Sequence, residues 1–206
     1  MARETGSIVK QSRREGYALH PKAHKVLARR TAKPGAKSNS MRRASTSQYA
    51  TQLREKQKVK RLYGLLEKQF AKLMAEASRR QGQSGAVLLQ FLEQRLDNAV
   101  YRAGFAVSRR GARQLVTHGH FMLNGRRVDI PSIRLKPGDV LELRAASQKN
   151  AYFTSIDDLV PVNPDIVPGW LTADRKKFVI KITGLPTRDD AEPDIKEQLI
   201  VEYYSR

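Results

Sequence analysis

Apolar positions are sparse and aperiodic through residue 46, and from Ser47 onward a regular repeat begins. Val59, Leu62, Leu66, Phe70, Leu73 and Ala77 recur at spacings of three and four, which predicts one amphipathic helix with Gly64 as a weak point inside it. Gln81-Gly82-Gln83-Ser84-Gly85 reads as a turn or short linker. Beyond it, Leu88, Leu92, Leu96, Ala99 and Ala103 share one face of a second helix, with Gly104 placed to end it. Ser108 is a good N-cap for a third helix running through about His118, whose buried face is Ala112, Leu115 and Val116 and which Gly119 ends.

The period then shortens. Phe121-Met122-Leu123 and Arg127-Val128-Asp129-Ile130 flank Asn124-Gly125, the strongest short-range hairpin signal. Pro137-Gly138-Asp139 makes another turn before the alternating strand Val140 to Arg144. Strand-like pieces follow at Lys177 to Ile182 and Gln198 to Tyr203. The expected fold class is α+β: a basic N-terminal arm over residues 1–46, a helical domain over 47–93, a compact helix-and-sheet module over 94–155 with a small antiparallel sheet, and a C-terminal segment over 156–206. Residues 170–206 are expected to pack on the helical domain.

Charge changes the picture. The 206 residues carry 39 Lys and Arg against 20 Asp and Glu, a net charge of +19, which points to a polyanionic partner. Residues 1–50 hold 12 cations and 2 acids and residues 51–80 hold 9 and 3, while residues 147–206 hold 8 and 10. Residues 1–46 therefore read as a disordered arm that gains order on nucleic acid, and the acidic tail as a surface for protein. No cysteine is present, which excludes disulfides, thiol catalysis and Cys-ligated zinc. No apolar run is long enough to span a bilayer, no secretory signal is visible, and neither a membrane nor a small-molecule substrate is expected as a partner.

No catalytic constellation emerges. Asp157-Asp158 and Asp189-Asp190 read as turn acids, and His118-Gly119-His120 as a helix-end and a surface histidine, so neither a catalytic residue, a metal ligand nor a cofactor is assigned. Arg95-Leu96-Asp97 resembles the short sequence that carries the aspartate of RNA pseudouridine synthases, yet the chain has no room for their catalytic sheet, and Asp97 is expected to pair with a neighbouring Arg. Arg109, Arg110 and Arg113 open the third helix, where the macrodipole disfavours cations. That placement suits a phosphate gripped jointly by helix N–H groups and guanidinium forks, with Asn124, Arg126 and Arg127 adding a cationic hairpin tip. Aromatic residues are only 7% of the chain, so phosphate and shape readout should outweigh base stacking.

The run Gln52-Leu53-Arg54-Glu55-Lys56-Gln57-Lys58-Val59-Lys60-Arg61-Leu62-Tyr63-Gly64 closely resembles the bacterial small-subunit ribosomal protein number four family. Arg95-Leu96-Asp97-Asn98 through Tyr101-Arg102, Ala112 to Val116, His118 to Phe121, Leu123-Asn124-Gly125, Pro137-Gly138-Asp139 and Glu197 to Arg206 resemble it as well. The resemblance implies an α-L RNA-binding domain near 94–155 and a structural protein that binds small-subunit rRNA and nucleates assembly of the subunit body. It also implies a contact with ribosomal protein number five that bears on translational accuracy, and a place beside incoming mRNA. By resemblance, rRNA contacts fall on Arg3, Arg13, Arg14, Lys22, Arg54, Lys56, Lys58, Arg61, Tyr63, Ser108, Arg109, Arg110, Arg113, Gln114, His118, Asn124 and Arg126. Arg42 and Arg43 belong to the cluster that relatives present to mRNA, and Asp189, Asp190, Asp194 and Glu197 to the protein interface. Many relatives carry a Cys-x-x-Cys zinc site where this chain has Val9-Lys10-Gln11-Ser12, so the resemblance is to a zinc-free variant. An RNA-modifying enzyme, or a free RNA-binding protein built on the same module, is the competing expectation.

Overall fold

The computed structural model describes residues 4–30, 32–35, 47–160 and 167–205. The chain divides into two compact units, one formed by residues up to Leu88 together with those from Asp194 onward, the other by Leu89–Pro193. The module expected over 94–155 extends further, because the sheet of the second unit continues to Ile182.

In the first unit, α1 (Ile8–Glu15) and α2 (Ala23–Arg29) lie where disorder was expected. Polar anchoring supplies the order that a low apolar count could not reveal. Ser12 is fully buried; its Oγ donates to Ile8 O and accepts from Leu19 N. The side chain of Glu15 is covered as well, and its Oε1 accepts from both Arg54 and Arg61 on α3 (Gln48–Leu62). Helix α3 starts at Ser47, whose Oγ accepts from Ala50 N. The single amphipathic helix expected over Val59 to Ala77 is instead two, α3 and α4 (Glu67–Ala77), because Gly64 sits at φ +65° and turns the chain between them. Val59, Leu62, Leu65, Phe70, Met74 and Ala77 are all buried nonetheless.

In the second unit, the helix expected over Leu88 to Ala103 is broken as well. Helix α5 (Ser84–Glu93) leads into it, and α6 (Leu96–Arg102) follows after an extended Arg95. The break is bought by distant pairing: Leu96 N donates to Ile133 O, Asp97 N to Pro131 O and Leu135 N to Gln94 O. Helix α7 (Arg109–Thr117) begins at Ser108, whose Oγ accepts from Gly111 N, and buries Ala112 and Val116 with Leu115 partly covered, as expected.

Strands β1 (Phe121–Leu123) and β2 (Arg126–Val128) form the expected hairpin, with Asn124 at φ 50° and Gly125 at φ 78°. Both central residues at positive φ make a type I′ turn, which the Asn-Gly pair is suited to adopt. Strands β3 (Val140–Leu143), β4 (Leu171–Asp174) and β5 (Val179–Ile182) complete an antiparallel sheet of order β2-β1-β3-β5-β4. Its inner face, with Phe121, Leu141, Leu143, Ile180 and Leu171, packs with Leu96, Phe105 and Phe153. Short helices α8 (Ala145–Gln148), α9 (Ala151–Thr154) and α10 (Ile156–Leu159) follow β3.

The strand expected over Gln198 to Tyr203 is helix α11 (Glu197–Tyr204), packed on α3 in the first unit. Its β-branched and aromatic residues favour a strand locally, and tertiary contacts override that preference. Ile200 is fully buried, Gln52 Nε2 donates to Glu202 and the Lys56 ammonium lies 4.4 Å from the Tyr203 ring centroid. Residues 170–206 are thus divided, the strands in one unit and α11 in the other.

Candidate nucleic-acid interface

Helix α7 shows how the cations are allocated. Successive residues turn by about 100°, so Arg109 and Arg113 share one side while Arg110, Gln114 and His118 share the side opposite Ala112 and Val116. The first side faces inward to acids. Arg109 Nε donates to Asn98 Oδ1 at 2.8 Å, and its Nη2 lies 2.9 Å from Glu192 and 3.9 Å from the fully buried carboxylate of Glu93. Arg102 engages Glu93 through two nitrogens at 3.0 and 2.9 Å and donates to Asp190 O. Arg95 grips Asp97 at 3.0 and 2.8 Å, with Arg113 3.7 Å away. Asp97 thus pairs with a neighbouring Arg as expected. Arg109 and Arg113 do not jut from a helix end; they neutralise acids under it.

The opposite side is open. Gln114 and His118 are exposed, and Arg110 is half-buried beside them. At the end of α7 the Arg127 guanidinium lies so close to Gly119 that a Cβ there would sit 2.7 Å from Nε, and Arg144 Nη1 donates to Gly119 O. Cations at a helix C-terminus are stabilised by its dipole. The outward row of α7 is therefore continuous with the β1–β2 hairpin, whose Arg126 is exposed. Asn124 holds that hairpin to β3: its Nδ2 donates to Asp139 Oδ1 and its Oδ1 accepts from Val140 N. His120 is drawn inward, Nδ1 3.0 Å from Ser147 Oγ, and burial, with His118 and Arg144 nearby, holds its pKa below the ordinary value.

In the first unit the assignments divide in the same way. Arg54 and Arg61 are tied to Glu15, whose pKa burial raises despite the two guanidinium groups. Lys56 is buried and donates to Glu67 at 2.7 Å; Lys60 reaches the same carboxylate at 2.9 Å. Burial alone would raise the Glu67 pKa, and these hydrogen bonds outweigh it and bring it to about 2. Lys58 pairs with Glu55 and donates to Asp194 O. Tyr63 is core, only 3% exposed. Arg13 donates to Ala32 O, whereas Arg14 and Lys22 are exposed. Arg3, Arg42 and Arg43 lie outside the described residues.

Of the acids assigned to a protein interface, Asp189 and Asp194 are exposed. Asp190 Oδ2 accepts from Thr187 N and Oγ1, and Glu197 packs on Gly85. Glu15, Glu67, Glu93 and Glu192 carry most of the pairing, yet the sequence did not single them out. Glu93 alone left a trace, as the one acid in the apolar run from Ala86 to Leu92 and Leu96. Among the described residues no cluster of three or more His, Asp or Glu is arranged to hold a metal ion, and no helix is long and apolar enough to cross a membrane.

Known proteins resemble this chain in sequence along its whole length. The Ribosomal protein S4/S9 N-terminal domain family matches residues 3–93, and the S4 domain family matches residues 94–141. The chain is 49% identical over 211 aligned residues to the small ribosomal subunit protein uS4 of Herpetosiphon aurantiacus. It is 47% identical to that of Chloroflexus aurantiacus and 48% identical to that of Clostridioides difficile. Each alignment covers 100% of both chains.

Proposed function

Because the chain belongs to the uS4 family of small-ribosomal-subunit proteins, a structural and not an enzymatic family, we propose that it binds small-subunit rRNA through the outer face of α7 and the β1–β2 hairpin. The observation that carries this reading is Arg127 lying against Gly119, which joins Arg110, Gln114 and His118 to the hairpin tip in one cationic face. Guanidinium groups there meet phosphates, and few aromatic side chains are at hand for base stacking, so the reading is of backbone and shape. Arg109, Arg113 and Ser108 support that face from beneath, as buried ion pairs and cap.

The same reading assigns to the protein an early role in assembling the subunit body. It assigns Asp189, Asp190, Asp194 and Glu197 to a contact with ribosomal protein number five that bears on accuracy, and Arg42 and Arg43 to incoming mRNA. The test is filter binding of the purified protein to naked small-subunit rRNA, with Arg110→Ala/Arg127→Ala beside the wild type. The double variant should bind several-fold more weakly at moderate salt and remain folded, its melting temperature lowered only slightly by the loss of Arg127 from the end of α7. Full affinity would refute the assignment of this face.

A further inference from the structure

Asn124-Gly125 is the one Asn-Gly pair in the chain, and it forms the exposed tip of the β1–β2 hairpin. Asparagine before glycine is the pair most prone to spontaneous deamidation, because no side chain hinders attack by the following backbone nitrogen. In that reaction the Gly125 nitrogen bonds to Asn124 Cγ, and its proton leaves with the side-chain nitrogen as ammonia. Water then opens the succinimide ring at either carbonyl, giving aspartate or isoaspartate. One water is consumed, one ammonia is released and one negative charge is gained at neutral pH. Water has access to the site: both residues are exposed, and apart from its chain neighbours no heavy atom lies within 4 Å of where a Gly125 Cβ would sit.

The fold nevertheless holds the amide at both ends. Asn124 Nδ2 donates to Asp139 Oδ1, and Asn124 Oδ1 accepts from Val140 N, each at 2.9 Å. Its backbone is fixed as well, Asn124 N donating to Val140 O. Asp139 is itself set by the Pro137-Gly138 turn: its Oδ2 accepts from Lys136 N at 2.8 Å and its backbone O from Ile182 N. Bringing Cγ onto the Gly125 nitrogen turns the Asn124 side chain about Cα–Cβ and withdraws both amide atoms from their partners. We propose that Asn124 is a latent deamidation site that Asp139 holds shut, and that its conversion retires the hairpin as a binding surface. The first half stands on these hydrogen bonds, and the second rests on the rRNA-binding reading above. Either product sets a carboxylate against that of Asp139 and beside Arg126, in a face that meets phosphates. Isoaspartate also lengthens the main chain of a two-residue turn by one carbon.

Conversion of Asn124 is followed by peptide mass spectrometry of the full chain at neutral pH, native and in urea. Breaking two hydrogen bonds before attack should make the native wild type on the order of tenfold to a hundredfold slower than the unfolded chain. Asp139→Ser, whose hydroxyl can still accept from Lys136 N, should melt as a folded protein and convert several-fold faster than the native wild type. Asp139→Asn, which keeps an oxygen for the Asn124 amide, should stay near the wild-type rate. Equal wild-type rates in buffer and in urea would overturn the proposal whatever the variants do, as would a folded Asp139→Ser protein that is no faster. The deamidated and intact fractions of Asp139→Ser, separated by charge, are then compared in filter binding to naked small-subunit rRNA. The deamidated fraction should bind several-fold more weakly, and equal affinity would overturn the second half of the proposal. Intact wild-type protein with no rRNA affinity would instead refute the underlying reading and leave the deamidation rates standing.

Discussion

Helices α3 and α4 are neighbours in the chain and both rich in cations, and the fold uses them oppositely. On α3 all five cations have acid partners: Arg54 and Arg61 share Glu15, Lys56 and Lys60 share Glu67, and Lys58 takes Glu55. On α4, Lys68 and Lys72 face outward with no such partner among the described residues. Helix α7 repeats the division within nine residues, with Arg109 and Arg113 over acids and Arg110 on the outward face. Net charge sets the long-range field that attracts a polyanion, but tertiary pairing decides which cations remain to touch it.

That contrast breaks most visibly at Glu93. Its carboxylate is fully buried between Arg102 and Arg109, and Glu93→Ala strands two guanidinium groups in a low-dielectric site. The second unit should lose about 3–5 kcal/mol, read as a shifted urea midpoint. A loss below about 1 kcal/mol would mean that the network is too solvated to matter. Arg109→Ala is expected to cost less, about 2 kcal/mol, because Arg102 still neutralises Glu93. A double-mutant cycle with Glu192→Ala should return a coupling of about 1 kcal/mol, and strict additivity would contradict the 2.9 Å pair.

Two carboxylates of the first unit should respond to pH with opposite sign. Glu67, held at about 2 against an ordinary 4.5, contributes stability that is complete above 4.5 and lost as the pH falls toward 2. The Glu15 pKa is raised by burial despite its two arginine partners, so the folded state favours the protonated carboxyl and stability rises as the pH falls to 4.5. Urea midpoints measured against pH should show Glu67→Gln removing the decline below 4.5, and Glu15→Gln removing a gain on acidification just above it. Interchanged effects would overturn the electrostatic roles of both groups. The smallest effect is expected at Lys72, where Lys72→Gln should change stability by less than about 0.5 kcal/mol.

Where a feature depends on local chemistry, it was legible in the sequence. Ser108 caps α7, Asn124-Gly125 turns the hairpin, and Gly64 marked the point where a long apolar stripe breaks in two. Features that depend on distant partners were not. Gln94 and Arg95 leave the helix where residues 94–97 pair with 131–135, and α11 is a helix because α3 receives it. The same limit governed the site. Arg109 and Arg110 are adjacent and chemically identical, and the placement of Glu93 and Glu192, 16 and 83 residues from Arg109, is what turns Arg109 inward. Order in the N-terminal segment was hidden likewise, since Glu15 meets Arg54 and Arg61 across 39 and 46 residues.

The most direct test of this division compares Arg61→Gln with Lys72→Gln, one charge removed from each of two successive helices. Binding to small-subunit rRNA is titrated with salt for both, under conditions where both remain folded. Lys72→Gln should lower the slope by roughly 0.7–0.9, while Arg61→Gln should keep the full slope and melt earlier. A flattened slope in Arg61→Gln beside an unchanged one in Lys72→Gln would contradict the division of the cations into those that hold the fold and those that face RNA.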